Sequence, residues 1–457
     1  MSEAQPVIRA ESGADQADFR PIRVIEIDLS EPLKDIQPSH AENGLVYHAS
    51  MVVVRLASTP IGLFQVSLLG GSLAADALAQ VIWNELHTQI NQYLTQAGYE
   101  SVQQITSAGL PYVKPLPMPH LEGDLPFISV VIATRERPKM IKQALDTLIK
   151  LDYPNYEIVV VDNVPQSQAT HDVVATFQDQ PVPVRYLVEQ KPGLSNARNC
   201  GARAAKGDII AVTDDDVLVD SNWLNEIVRG FKAADNVACV CGLILPAEFE
   251  TLAQYRLEQF GGFSMGFSRK LYDTGPNRPP SSPLFPYTVG AIGSGANMAF
   301  SADVMREVGY FDPTLGAGSK GIGGEELLIL FKILKKGYQV AYEPGALLYH
   351  FHNRDYEKLQ RQVYNYGIGL TAYLTKLLID SPMYIFEIIP RVPLGLWRMF
   401  SPNSEKNANK EADYPPELNR LELMGTLRGP LACIGSVMHH RKQTRQTQVQ
   451  PAGTPSL

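Results

Sequence analysis

At 457 residues the chain is long enough for two or three structural units with a sizeable core, and its 45% hydrophobic and 19% charged content is ordinary for globular protein. A formal net charge of −8 and a pI near 5.7 argue against a general nucleic-acid binder, whose footprint is basic. Four cysteines (Cys200, Cys239, Cys241 and Cys433) suit a reducing cytosol, and the polar opening lacks the apolar core of a signal peptide.

Residues 1–20 are polar and are expected to be disordered. Residues 21–107 read as a small α/β unit. Arg23–Ile27, Ala49–Leu56 and Ile61–Leu68 have strand character, and Ala75–Leu94 carries Leu78, Val81, Ile82, Leu86 and Ile90 at helical spacing. No catalytic constellation appears in this unit. Residues 108–126 follow as a linker, stiffened by five prolines between Pro111 and Pro126.

From Phe127 the pattern changes. Phe127–Ala133 is a nearly continuous apolar run, as a strand buried on both faces should be, and it stops at Thr134-Arg135-Glu136-Arg137. Pro138 suits the first turn of a helix built on Ile141, Ala144, Leu145 and Leu148. A second strand, Tyr156–Val161, runs into Asp162-Asn163. A third, Arg185–Val188, leads to Lys191-Pro192-Gly193 and a helix carrying Arg198. Then Asp208–Val212 delivers Thr213-Asp214-Asp215-Asp216. This alternation predicts a doubly wound α/β sheet, and the polar residues collect at strand ends, where such sheets bind ligands. Three consecutive carboxylates repel one another unless solvent or a cation compensates them. Hard divalent cations favour one or two carboxylates together with substrate phosphates, so the triplet predicts a metal–diphosphate site.

Downstream, Gly293–Phe300 places small residues where backbone must approach a ligand, with Asn297 as the polar contact. Gly321-Ile322-Gly323-Gly324 precedes Glu325-Glu326 and a helix that ends at Gly337. His350 and His352 alternate on one strand face, a spacing suited to one metal or phosphate group, and the sequence does not choose between them. Tyr356–Asp380 predicts an amphipathic helix. Met383–Phe400 is rich in apolar and aromatic residues but is broken by Glu387, Pro390, Arg391, Pro393 and Arg398. It is too interrupted to span a bilayer and is either interfacial or packed on the protein. Residues 401–457 are expected to form a largely disordered tail.

Between Phe127 and about His352 the blocks SVVIATRERP, IVVVDN, KPGLSNARNCGARAAKGDIIAVTDDDV, GSGANMAF, FDPTLGAG and GGEELLILFKILKKG occur in that order. Together they resemble the family 2 glycosyltransferases. The resemblance implies a GT-A fold at residues 127–355, preceded by the accessory α/β unit and followed by C-terminal helices at 356–400. It also implies an inverting enzyme that uses a nucleotide-diphosphate sugar donor and a divalent cation, Mn²⁺ or Mg²⁺. Asp162 would read the base, and Asp214 and Asp216 would form the Asp-x-Asp pair, with Asp216 the direct metal ligand and His350 or His352 completing the site. Thr134, Arg135, Glu136, Lys191, Arg198, Asp215 and Asn297 make up the rest of the donor-facing set.

The chemistry also needs a base for the acceptor hydroxyl. The resemblance assigns that role to Glu326, with Glu325 second. Family members commonly read Glu-Asp at this pair and carry another acidic residue two positions later. Here the pair is Glu-Glu and the later position is Leu328. The expected acceptor is a glycan or a lipid-linked saccharide of the cell envelope, met in the cytoplasm or at the inner face of the plasma membrane. A nucleotidyltransferase would need a glycine-rich signature that Thr134–Arg137 lacks. A non-catalytic carbohydrate-binding protein would be inert toward a donor.

Overall fold

The computed structural model describes residues 19–41, 44, 46–117, 125–279, 282–411 and 413–449. The expected disordered N-terminus up to residue 18, linker residues 118–124 and the end of the tail from 450 lie outside the described residues.

The first unit comprises β1 (Ile22–Asp28), β2 (Ala49–Leu56), β3 (Thr59–Ser67) and α1 (Ala75–Gln96). β2 pairs parallel with β1 and antiparallel with β3. Every residue of β2 is buried, and strand alternation explains how. Val52, Val54 and Leu56 face α1 and pack with Leu78, Ile82 and Leu86. Met51 and Val53 point the other way, into the core of the following domain, beside Ile22 and Phe249. A charged clamp reinforces this contact. Arg55, almost fully buried, donates to Glu26 (3.1 Å) and lies 2.7 Å from Asp220, while the Tyr349 hydroxyl donates to Glu26.

The main domain runs through β4 (Ile128–Thr134), α2 (Pro138–Leu148), β5 (Tyr156–Asn163), α3 (Ala169–Ala175), β6 (Val184–Glu189), α4 (Leu194–Ala204), β7 (Ile209–Thr213) and β8 (Val217–Val219). It continues with α5 (Trp223–Phe231), β9 (Val237–Pro246), α6 (Leu252–Phe260), β10 (Lys270–Tyr272), β11 (Asn297–Ser301), α7 (Ala302–Val308), α8 (Glu325–Lys335) and β12 (Gln339–His350). The sheet order is β10-β12-β9-β11-β7-β4-β5-β6, with β8 pairing onto β12. The half from β7 to β6 is parallel, as the apolar runs predict. β11 inserts antiparallel between β7 and β9, so the sheet is mixed. One core cluster lies on each face of the sheet.

Four helices follow: α9 (Tyr356–Asp380), α10 (Ile385–Ile388), α11 (Val392–Phe400) and α12 (Pro416–Val449). α9 has the predicted bounds and is docked on the main domain, where Lys376 bridges to Asp312 at 2.8 Å. α12 occupies part of the stretch expected to be a disordered tail. It packs along α9 at very close range. A Cβ on Gly425 would sit 2.1 Å from the Tyr364 carbonyl oxygen, and one on Gly429 would meet the Thr371 hydroxyl. Small residues that allow backbones this near add packing that polar composition does not reveal.

Candidate active site

β4 pairs in parallel with both β5 and β7, placing Thr134 opposite Asp162 and Ile132 opposite Thr213. The carboxyl ends of three strands therefore share one edge. The chain leaves β7 through Asp214–Asp216 and enters β8, whose Val217 pairs with His350 of β12. The Phe351 amide donates to the Asp216 carbonyl at 2.9 Å. This short pairing brings His350 Nε2 to 3.2 Å from Asp216 Oδ1. Ligand atoms of Asp214, Asp216 and His350 all lie within 4.8 Å of one another. Two carboxylates and an imidazole form a donor set that fits a divalent cation, with positions left for phosphate oxygens and water.

His352 is not part of this cluster. It lies behind His350, with the two Nδ1 atoms 3.1 Å apart and its Nε2 2.8 Å from Glu258 Oε1. Burial lowers the pKa of His352, favouring its neutral form. If Glu258 accepts from Nε2–H, Nδ1 of His352 must accept from Nδ1–H of His350. In neutral His350 this leaves the Nε2 lone pair facing the carboxylates. Such outer partners fix the tautomer and ring orientation of a metal-ligating histidine. Burial also opposes protonation of His350, but the adjacent Asp216 outweighs it and raises that pKa.

Two guanidinium groups compensate the acidic triplet. Arg137 donates to Asp215 (2.5 Å) and Asp216 (2.9 Å), and Arg198 donates to Asp214 (2.7 Å). Asp215 points inward, 4% exposed, and accepts from the Thr134 hydroxyl at 2.6 Å. Burial pushes its pKa up to about 7 against the pull of Arg137. Burial opposes ionisation of Asp216 as well, yet His350 and Arg137 hold its carboxyl well below the usual range. Asp215 and Thr134, both expected to face the donor, are buried against each other, and their contact braces the turn.

Arg198 was expected at the donor. It lies 2% exposed inside the fold, and its second amino group donates to Glu325 at 3.1 Å. Gly324, at φ +88°, turns the chain into α8 against α9, and a Cβ there would meet the Gly369 carbonyl oxygen at 2.5 Å. Glu325, the first residue of α8, is buried. Burial and the neighbouring Glu326 drive its pKa well up, with Arg198 opposing. Glu326, the less buried of the pair, lines with Glu325 a cleft of about 550 Å³ that is also bordered by Leu194, Ala317, Lys358, Tyr366 and Leu370. A carboxylate facing a cleft can accept a proton from a bound hydroxyl, whereas one tied to a buried arginine is poorly placed to do so.

At the far end of the edge, Asp162 is buried and accepts from the Tyr186 hydroxyl at 2.9 Å, with burial raising its pKa. Its neighbour Asn163 accepts from the Gly193 amide and donates to the Lys191 carbonyl, fixing the β6–α4 loop. Lys191 and Arg135 are exposed at this rim. Glu136 accepts from the Gln166 amide (2.7 Å) and the Ser167 hydroxyl (3.0 Å), bracing one loop against another. Asn297 is fully engaged away from the cleft. Its amide nitrogen donates to the Leu243 and Ala346 carbonyls, and its oxygen accepts from Trp223 Nε1. Of the small residues in its block, Gly293 makes room for Cys241 of β9 and Gly295 for the Arg198 guanidinium, which donates to its carbonyl. Arg137 and Glu258 carry no site role in the sequence reading. Only its place one residue before the helix-opening proline marked Arg137, and nothing local marked Glu258.

Residues 129–294 match the family described as Glycosyl transferase family 2. The glucosyl-dolichyl phosphate glucuronosyltransferase of Haloferax volcanii is 24% identical over 232 residues, which are 49% of this chain and 68% of that protein. The beta-monoglucosyldiacylglycerol synthase of Trichormus variabilis is 29% identical over 140 residues, 30% of each chain, so this chain spans under a third of that relative. Among solved structures, a mannosyltransferase from Pyrobaculum calidifontis, in complex with GDP-Man and Mn²⁺, covers 83% of this chain and 88% of its own, at a TM-score of 0.41 and 17% identity.

Proposed function

We propose that this chain, whose residues 129–294 match Glycosyl transferase family 2, moves a sugar from a nucleotide-diphosphate donor to a hydroxyl of a glycan or lipid-linked acceptor, inverting the anomeric carbon. The observation that carries the reading is the continuity from Asp214 through Arg198 to Glu325, which ties the acidic edge to the start of α8, where Glu326 faces the cleft. Two relatives whose names include a lipid, dolichyl phosphate in one and diacylglycerol in the other, favour a lipid-linked acceptor. The setting would then be envelope glycan assembly at the inner face of the plasma membrane.

In this mechanism Asp214, Asp216 and His350 would hold a divalent cation, Mn²⁺ or Mg²⁺. When bound, that ion supplies Lewis-acid compensation for negative charge on the diphosphate. Asp162 orients the base, and the exposed Lys191 and Arg135 border the path of the phosphates. Glu326 takes the acceptor hydroxyl's proton as the new oxygen–carbon bond forms and the bond from the anomeric carbon to the diphosphate breaks. One displacement inverts the centre, and no enzyme-bound sugar is formed. Incubation with a panel of nucleotide sugars, scoring nucleoside diphosphate release with and without acceptor, tests this reading. Release that depends on acceptor and is lost in Glu326→Gln is expected. Pyrophosphate exchange instead would identify a nucleotidyltransferase, and inertness toward every donor would identify a binding protein.

A further inference from the structure

α12 is apolar on both sides. Toward α9 it buries Leu418, Cys433 and Val437 and brings Gly425 and Gly429 against the α9 backbone. On the opposite side, Leu423, Leu427, Leu431, Ile434 and Met438 recur three or four residues apart, which aligns them in one stripe. That stripe is exposed: Leu427 is 71% accessible and Leu431 64%. The neighbouring α10 and α11 are similar, with Phe386 at 72% and Trp397 at 53%, beside Ile389 and Phe400. Exposed apolar side chains repeated over consecutive elements, of which α11 touches α12 through Met399 and Thr426, mark an interaction site.

The charge around the stripe indicates what covers it. The whole chain carries −8, yet between residues 420 and 445 there are five basic side chains and a single acidic one, Glu422, which is buried. At 100° per residue, Arg420, Arg441, Lys442 and Arg445 project on the same side as the leucines. No helix among the described residues is long and apolar enough to cross a membrane. A helix with an apolar face flanked by Arg and Lys lies in the plane of an anionic lipid surface.

We infer that α10, α11 and the outer face of α12 seat the enzyme on an anionic bilayer. This reading deepens the proposed lipid-linked acceptor by giving it a route. α9 carries α12 on one side and lines the Glu326 cleft on another with Tyr366, Gly369 and Leu370. The cleft is therefore one helix away from the lipid, and packed helix axes are about 8–10 Å apart.

Sedimentation of the full chain with vesicles tests the inference without donor or acceptor, so its failure leaves the transfer reading standing, and the reverse also holds. Vesicles of phosphatidylcholine with phosphatidylglycerol should carry the protein down, and phosphatidylcholine alone should carry much less. Arg441→Gln with Lys442→Gln should weaken binding to the anionic vesicles by roughly thirty-fold, the effect of two surface cations. Leu427→Ser with Leu431→Ser should remove the salt-resistant fraction, with an unchanged melting temperature showing that α12 still packs on α9. Protein that stays in the supernatant with anionic vesicles at low salt overturns the inference. A solution dimer that Leu427→Ser and Leu431→Ser convert to monomer, without vesicle binding, would identify a second copy as the occupant and overturn it equally.

Discussion

Arg198 donates to Asp214 across 2.7 Å from a position only 2% exposed to solvent. Its other amino group holds Glu325, so one buried cation serves two carboxylates on different elements. Removing it leaves Glu325 without its partner in a low-dielectric interior and Asp214, 27% exposed, without its guanidinium. Arg198→Met should therefore cost about 3–5 kcal/mol of stability, the range for breaking a buried pair. Chemical denaturation measures this. Arg198→Lys keeps the charge but cannot reach both carboxylates, and should fall between the two.

Glu326→Gln keeps the shape of the cleft wall and removes the proton acceptor. Turnover should fall by ~10²–10⁴ while donor binding persists. Glu325→Gln should be milder in turnover, because Glu325, though it also borders the cleft, is tied to the buried Arg198. Steady-state rates alongside a donor-binding titration check this pair, and a reversed order would make Glu325 the base.

Asp216→Ala should leave the fold intact and abolish turnover that metal restores after EDTA treatment. His352→Phe removes the partner that sets the His350 tautomer and should weaken Mn²⁺ affinity by about 10–100-fold, the usual cost of losing an outer-shell partner. Titration of Mn²⁺ by calorimetry or by electron paramagnetic resonance reads the affinity directly. Unchanged affinity in His352→Phe would mean that His350 is oriented by its strand alone.

The bridge between Asp312 and Lys376 predicts a pH window for the docking of α9. Burial opposes ionisation of Asp312, but the hydrogen bonds from Lys376 and Thr314 outweigh it and lower its pKa from the ordinary 3.8. Its contribution is thus full above that value and is lost as pH falls through the lower, folded one. Burial likewise opposes the charge on Lys376, yet Asp312 and Asp380 raise its pKa above 10.5. That contribution is full below 10.5 and is lost as pH rises through the folded value. Stability measured from pH 2 to 7 should drop at the acid end in the wild type. In Asp312→Asn the drop should be shallower, starting from a lower plateau.

Much of this architecture is written locally in the sequence. The apolar run at Phe127–Ala133 and the helical spacing at Ala75–Leu94 fall where β4 and α1 lie, because each pattern reports burial of its own face. The acidic triplet and the histidine pair stood out because their chemistry is unusual in its local setting, whereas Glu326 was marked only by the family resemblance. What stayed hidden depends on distant partners. Strand alternation put His350 and His352 together, and only the pairing of β8 with β12 and the position of Glu258 separate them. Asn297 read as a ligand contact because glycines surround it, but Trp223, seventy-four residues away, holds it inside the sheet. α12 escaped notice because a helix apolar on two opposite sides lacks the single-sided periodicity that marks an amphipathic one.

The clamp formed by Glu26 and Arg55 reaches past the domain it belongs to. Tyr349, which it holds, immediately precedes His350, and Asp220, which it also holds, closes the short strand that begins just after Asp216. The N-terminal sheet therefore grips from behind the two strands whose front ends carry the candidate metal ligands. A catalytic domain trimmed of its first hundred residues would lose that grip and bare the apolar patch around Phe249 in the same step.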